Sequence, residues 1–137
     1  MEKDQEIQQK YIQFQQFQQQ MQQISEHVEI LHQQNEDLDI SKNALEEIGK
    51  TKIDTEVLAP IANGIFFKAA LKDNQKLILN VGSNTTVEKT IPEAVTLLIQ
   101  QQKEIIERIA EAEKVLQDMN GQAMKIFEDV QQNTEKS

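Results

Sequence analysis

Residues 91–130, IPEAVTLLIQQQKEIIERIAEAEKVLQDMNGQAMKIFEDV, decide the fold. Within them Ile91, Val95, Leu98, Gln102, Ile105, Ile109, Ala112, Leu116, Met119, Ala123, Ile126 and Val130 recur at spacings that alternate between four and three. Repetition about every 3.5 positions keeps one narrow stripe of an α-helix turned toward a partner helix, so the segment predicts one strand of a coiled coil. Its start is marked as well. Thr90 followed by Glu93 forms a candidate capping box, and Pro92 falls in the first turn, where a missing N–H is not needed.

A second seam lies at the other end of the chain. Ile7, Phe14, Phe17, Met21, Ile24, Val28, Leu31, Leu38 and Leu45 keep the same alternation, with polar interruptions at Lys10, Asn35 and Lys42. No Gly or Pro interrupts residues 1–48, and Gly49 followed by Lys50 suggests a left-handed C-terminal cap. The Gln-rich stretch from Gln5 to Gln23 could be read as a disordered polar tract, but the seam running through it favours helix. Residues 131–137 contain no apolar side chain and are expected to form a loose tail.

Between the helices the period changes to two. Glu56 to Ile61, Ile65 to Leu71, Lys76 to Val81 and Thr86 to Lys89 are candidate strands, separated by Asn63-Gly64, Asp73-Asn74-Gln75 and Gly82-Ser83-Asn84. Pro60 cannot donate to a ladder and is expected at a strand end or a sheet edge. The domain plan is therefore a single unit: helix over 1–49, two β-hairpins over 50–90, helix over 91–130 and the tail.

An insert that ends near where it began returns the second helix antiparallel to the first. If Leu45 faces Val95, then Leu31 faces Ile109, Met21 faces Met119, Phe17 faces Ala123 and Phe14 faces Ile126. Large Phe17 against small Ala123 is the complementarity that close packing requires. In this register Asn35 and Gln102 lie opposite Ile105 and Leu38, where polar seam residues commonly fix register and partner number. Helices of this length make a rod on the order of 65 Å long, with the hairpins at one end and both termini at the other.

Composition excludes several functions. Gln, Glu, Lys, Leu and Ile dominate a chain with 4% aromatic residues, no Trp and a net charge of −9, which disfavours binding to nucleic acid phosphates. No run of 18 or more apolar residues is present and the N-terminus opens polar, so the chain is expected to be soluble, unprocessed and without a membrane partner. With no Cys there is no disulfide framework and no thiolate metal site, which fits a cytoplasmic location. There is no phosphate-binding loop. His27 and His32 are five residues apart on opposite flanks of the seam and cannot share a metal as an i, i+4 pair would. The chain is expected to be no enzyme and to take no cofactor or metal. Asn84-Thr85-Thr86 matches a glycosylation sequon that is incidental without a secretion signal.

Two features call for partners. A lone hairpin is marginal in water and leaves strand edges unpaired, so hairpins from several subunits are expected to join into a shared sheet or barrel. Val57, Leu58, Ile61, Ile65, Phe67, Leu77, Leu79, Val81 and Val87 are the candidate assembly residues. At the far tip Tyr11, Ile12, Met124 and Phe127 sit beside the seam, where aromatic and Met side chains suit adaptable contact with varied apolar sequences. Phe14, Phe17 and Met21 are either core of the coil or part of the same contact. Gly121 loosens the helix near this tip.

The segments VLAPIANGIFFKAAL (Val57 to Leu71) and LILNVGSNTTVEKTIPEAVTLL (Leu77 to Leu98) resemble the same region of α-type prefoldin subunits. The shared features are the Val-Leu-x-Pro-Ile run, the Phe-x-Lys-Ala strand, Asn80 to Gly82, and Val87 to Lys89 leading into the second helix. Ser83-Asn84 departs from the smaller or glycine-containing turn common in the family. The resemblance implies a hexamer of two α-type and four β-type subunits whose hairpins form an inter-subunit β-barrel body. It further implies an ATP-independent chaperone that holds unfolded clients at its coiled-coil tips, here at Tyr11, Phe14, Phe17, Met124 and Phe127, and passes them to a group II chaperonin. A scaffold or adaptor without affinity for unfolded chains is the alternative.

Overall fold

The computed structural model describes residues 2–135. Its elements follow the order α1 (Glu2–Lys50), β1 (Glu56–Ala62), β2 (Ile65–Ala70), β3 (Lys76–Gly82), β4 (Thr85–Thr90) and α2 (Ile91–Glu135). Contacts divide the chain into two units, one made of residues up to 35 with those from 104 onward, the other of residues 36–103.

In the first unit the helices pair antiparallel along the seams read from the sequence. Through residue 132, every seam position is buried or half-buried and every other position is exposed. Its centre is Val28, Leu31 and Ile109, packed against Ile24, Ile105, Ala112 and Leu116. Leu31 is only 2% exposed, as the pairing with Ile109 requires. Burying such a side chain contributes roughly 1.5–3 kcal/mol, so this apolar stripe, and not helix propensity, holds the pair together. Lys10 reaches Asp129 across the helices at 3.7 Å, in agreement with the same register. The Gln-rich stretch is helical throughout. The expected tail is corrected: α2 continues through Glu135, because Gln131-Gln132-Asn133-Thr134-Glu135 contains no helix breaker. Residues 136 and 137 lie outside the described residues.

In the second unit Gln102, 8% exposed in the seam, donates from Nε2 to Asp39 Oδ1 at 2.6 Å. Lys42 Nζ lies 3.6 Å from the same carboxylate oxygen. Gln102 and Lys42, both seam positions, thus share one charged acceptor, the residue after Leu38. Ala94 is 0% exposed, a core position that the heptad reading passes over because it lies beside the seam.

Gly49 is not a left-handed cap. The residues with positive φ are Asp54, Asn63, Gly64, Gly82, Ser83 and Asn84. The end of α1 is satisfied by Thr51, whose hydroxyl donates to the Glu47 carbonyl at 2.7 Å and whose N–H donates to Ile48 at 3.1 Å. A Cβ on Gly49 would stand 3.6 Å from Ile91 Cδ1, an ordinary van der Waals contact, so the packing there has room for a larger residue.

The insert forms two separate two-stranded antiparallel sheets, β1–β2 and β3–β4. Both hairpins follow one plan. Their boundaries recur twenty residues apart, 56 becoming 76 and 65 becoming 85. Each shifts register at the same place, after Pro60 and after Asn80. Pro60 lies within β1 opposite Phe66 at that shift, where a bulge tolerates its missing donor. The first turn is Asn63-Gly64 with φ of 51° and 78°, a left-handed pair that this dipeptide adopts readily. The second places Ser83 at 50° and Asn84 at 60°, after Gly82 at 116°. Here Ser83 carries a Cβ into a region that disfavours it. The Gly82 N–H donates to Asn80 Oδ1 at 3.0 Å, which helps to hold the bend.

Side-chain caps join the insert to its helices. Asp73 Oδ1 accepts from the N–H groups of Gln75 and Lys76, which lowers its pKa and launches β3. Asn74 Nδ2 donates to the Thr51 carbonyl at 2.9 Å, and the Ile91 N–H donates to Gln75 at 3.0 Å. The capping box forms: the Glu93 N–H donates to Thr90 Oγ1 at 3.3 Å while the Thr90 hydroxyl donates to Glu93 Oε1 at 2.9 Å.

Replacing Thr90 by Ala is expected to lower stability by about 1 kcal/mol, read as a lower thermal midpoint by circular dichroism of the full-length protein. The Thr90 hydroxyl, then its N–H, and Lys89 hold the Glu93 carboxyl below its ordinary pKa. The resulting stabilisation is complete above the ordinary carboxylate range and disappears as pH falls through the lowered value. Thr90→Ala should therefore also flatten that part of the acid-side loss. In the second hairpin, Ser83→Asn with Asn84→Gly should raise the midpoint, by roughly 1 kcal/mol of stability, since it supplies the dipeptide suited to this turn. An unchanged midpoint would show that Ser83 carries no backbone strain.

Candidate functional site

Two surfaces gather exposed aromatic and large apolar side chains, while Ile30, Ile40, Leu97, Ile99, Ile106 and Val115 are exposed elsewhere. The first is the hairpin pair. In an antiparallel ribbon, directly paired residues share a face, so Val57/Ala69 and Ala59/Phe67 lie on one face of β1–β2, and Leu58/Lys68 and Pro60/Phe66 on the other. Leu77/Lys89 and Leu79/Val87 correspond in β3–β4, with Ile78/Glu88 opposite. Val57, Leu77, Leu79 and Val87 are half-buried. Leu58, Ile61, Ile65, Phe66, Phe67, Ile78 and Val81 are exposed, Ile78 by 77%.

All nine assembly residues expected from the sequence therefore lie on these ribbons, but not on one face. Ile61 and Val81 fall at the two register shifts, and Ile65 flanks the first turn. The sequence reading omitted Phe66 and Ile78. The signal was present in the unbroken apolar runs Ile65-Phe66-Phe67 and Leu77-Ile78-Leu79, which mark strands covered on both faces. At roughly 1.5–3 kcal/mol each, the seven exposed side chains forfeit on the order of 10 kcal/mol that a partner surface would recover. Charge on the ribbons is sparse: Lys68 meets Glu56 at 4.0 Å in the open, a pair of little energetic weight.

The second surface belongs to the unit built from the two chain ends. The Phe14 and Phe127 rings pack across the helices at a centroid distance of 5.8 Å and an angle of 36°. An apolar hollow bounded by Tyr11, Phe14, Ile126, Phe127 and Val130 opens on one side of this pair. A second, lined by Phe14, Met21, Ala123, Met124 and Phe127 and walled by Gln18 and Asn120, opens on the other. Tyr11, Met124 and Phe127 remain about half exposed.

Of the five tip residues singled out in the sequence, the structure joins Tyr11, Phe14, Met124 and Phe127 around the ring pair. Phe17 is set apart, half-buried beside a polar hollow of Gln13, Gln16 and Gln20. Met21, Ile126 and Val130 line the hollows as seam residues whose outer sides stay open. A heptad pattern shows which residues face inward, but not where the seam gapes.

His27 and His32 are exposed, and His32 Nε2 lies 4.0 Å from Glu113. Among the described residues no cluster of His, Asp or Glu is arranged to hold a metal ion. No described helix is long and apolar enough to cross a membrane.

Comparison with known proteins places this architecture. The family model described as prefoldin subunit matches residues 17–136. The prefoldin subunit alpha of Pyrococcus horikoshii is 27% identical over 135 residues, covering 96% of this chain and 91% of its own length. That of Archaeoglobus fulgidus is 25% identical over 143 residues, 99% of each. That of Thermofilum pendens is 31% identical over 85 residues, 62% of this chain and 64% of its own. In structure, the filamentous PFD of Methanocaldococcus jannaschii superposes with a TM-score of 0.75 over 81% of this chain and 92% of its own, at 15% identity, a likeness of fold. Two long helices bracketing two hairpins, and a family match across most of the sequence, place the chain in the prefoldin subunit family.

Proposed function

We propose that this chain is an α-type subunit of an ATP-independent chaperone, one that holds unfolded polypeptides at the apolar end of its coil and prevents their aggregation. The observation that carries this reading is the pair of apolar hollows beside Phe14 and Phe127, open to water. Aromatic and Met side chains supply contact area without demanding one shape, as capture of varied sequences needs. Tyr11, Phe14, Phe127 and Met124 are the contact residues, with Phe17 a supporting position within the coil.

The hairpins are the assembly surface. Each ribbon has outer strand edges without a neighbouring strand in this chain, and apolar side chains on both faces. Pairing with hairpins of β-type subunits, four for two copies of this chain, closes these edges into a barrel and covers the exposed side chains. The holdase works without chemistry, as no enzyme, and delivers its client to a group II chaperonin in the cytoplasm.

The variant carrying Tyr11→Ser, Met124→Ser and Phe127→Ser tests this. It is expected to assemble with its partner subunits at native mass by light scattering, yet to need about fivefold more protein to half-suppress aggregation of a denatured client. Suppression equal to that of the native assembly would remove these residues from client binding. An assembly that suppresses aggregation of no denatured protein would favour the scaffold reading instead.

A further inference from the structure

The surroundings of the ring pair carry more than hydrophobicity. From Tyr11 to Ser25 no Asp, Glu, Lys, Arg or His occurs, in a chain where such side chains are otherwise frequent. The same holds from Met119 to Met124 on the facing helix. In place of charge stand amides. Gln18 and Asn120, one from each helix, wall the hollow that contains Met21 and Met124. Both are exposed, and among the described residues neither side chain is engaged by a neighbour. A primary amide offers two donors and an accepting oxygen, a neutral match for the N–H and C=O of a peptide main chain.

Spacing is compatible with an extended occupant, and the main chain separates it from a helical one. Along α1 the centres of the two hollows, judged from Tyr11 and Phe14 against Phe14, Gln18 and Met21, differ by about five residues, or roughly 8 Å at 1.5 Å per residue. Along α2 the corresponding offset is about four residues, or roughly 6 Å. Side chains at i and i+2 of an extended strand point to the same face about 6.7 Å apart. On a helix the residues that share a face are three or four apart and lie about 5–6 Å from one another, carried by a main chain that is already bonded internally. The free amides at the wall would find no partner on such a segment.

We infer that the hollows flanking Phe14 and Phe127 read an extended polypeptide, taking apolar side chains at alternate positions while Gln18 and Asn120 hydrogen-bond its main chain. This rests on the client-binding reading above and adds to it a class of occupant: uncharged, strand-forming segments with alternating apolar residues whose backbone groups lack mates. Recognition of this kind is insensitive to salt, since no charged side chain lines either hollow.

The test titrates the assembled full-length protein into fluorescein-labelled neutral dodecapeptides, followed by polarisation. One peptide carries Leu-Ser-Leu-Ser-Leu at its centre, and another the same residues reordered as Leu-Leu-Leu-Ser-Ser. A third is the alternating peptide with both central Ser amides N-methylated. The alternating peptide should bind about tenfold tighter than the reordered one, and N-methylation should weaken binding about fivefold. In Gln18→Leu with Asn120→Leu the N-methylation penalty should vanish, although the hollow is more apolar. Equal binding of the two orders, or a penalty that persists in the variant, overturns the inference. Phe14→Ser with Phe127→Ser separates the levels. If it abolishes binding of both orders equally tight in the native protein, the end of the coil binds clients and only the strand preference falls. If it changes no binding at all, the client-binding reading falls with it.

Discussion

The backbone groups on the outer edges of the two hairpins constrain the rest of the molecule. A two-stranded ribbon pairs each strand on one side only, and here the two ribbons do not pair with each other. Among the described residues the insert has no third strand to supply mates. Its apolar runs do not supply a core either, because β1, β2 and β3 carry large side chains on both faces while a ribbon alone can cover neither. The consequence is an insert whose large apolar side chains Leu58, Phe66, Phe67 and Ile78 stay exposed.

The helices serve this arrangement by being self-sufficient. Their seams bury a regular stripe and leave the flanks wet, so the pair stands without help along most of its length. Gln102 in the seam meets a specific acceptor, Asp39, which opposes slippage to a neighbouring heptad. Gly49 lies beside Ile91, which is buried along with Ala94, and the capping box at Thr90 turns β4 directly into α2. The insert is thereby held to its helices at both ends, through Thr51–Asn74 and Gln75–Ile91.

At the chain ends the balance reverses. Phe14 and Phe127 are too large to lie wholly within a two-helix seam, so they stack on one another and hold apolar hollows open on either side. Residues 11–25 and 119–124 carry no charge here, with Gln and Asn in its place, while Lys125, Glu128 and Asp129 follow on α2. Polarity without charge keeps the surface hydrated while allowing it to meet peptide groups, which are polar and uncharged themselves.

The heptads of both helices, their antiparallel register, the change of period at the insert and the capping box were legible in the residues, because each depends on spacing or on neighbours a few positions away. The strand limits were legible to within a residue for the same reason. Where the seam opens around the Phe14–Phe127 pair, why Phe17 stands apart from it, that Ala94 is the most buried side chain of its helix turn and that α1 ends on Thr51 and not on a left-handed Gly49 were decided only by tertiary structure. These depend on how far apart two backbones lie at each level, a distance set by the combined volumes of side chains remote in sequence. Periodicity fixes the direction in which a side chain points, and three-dimensional packing fixes what it meets there.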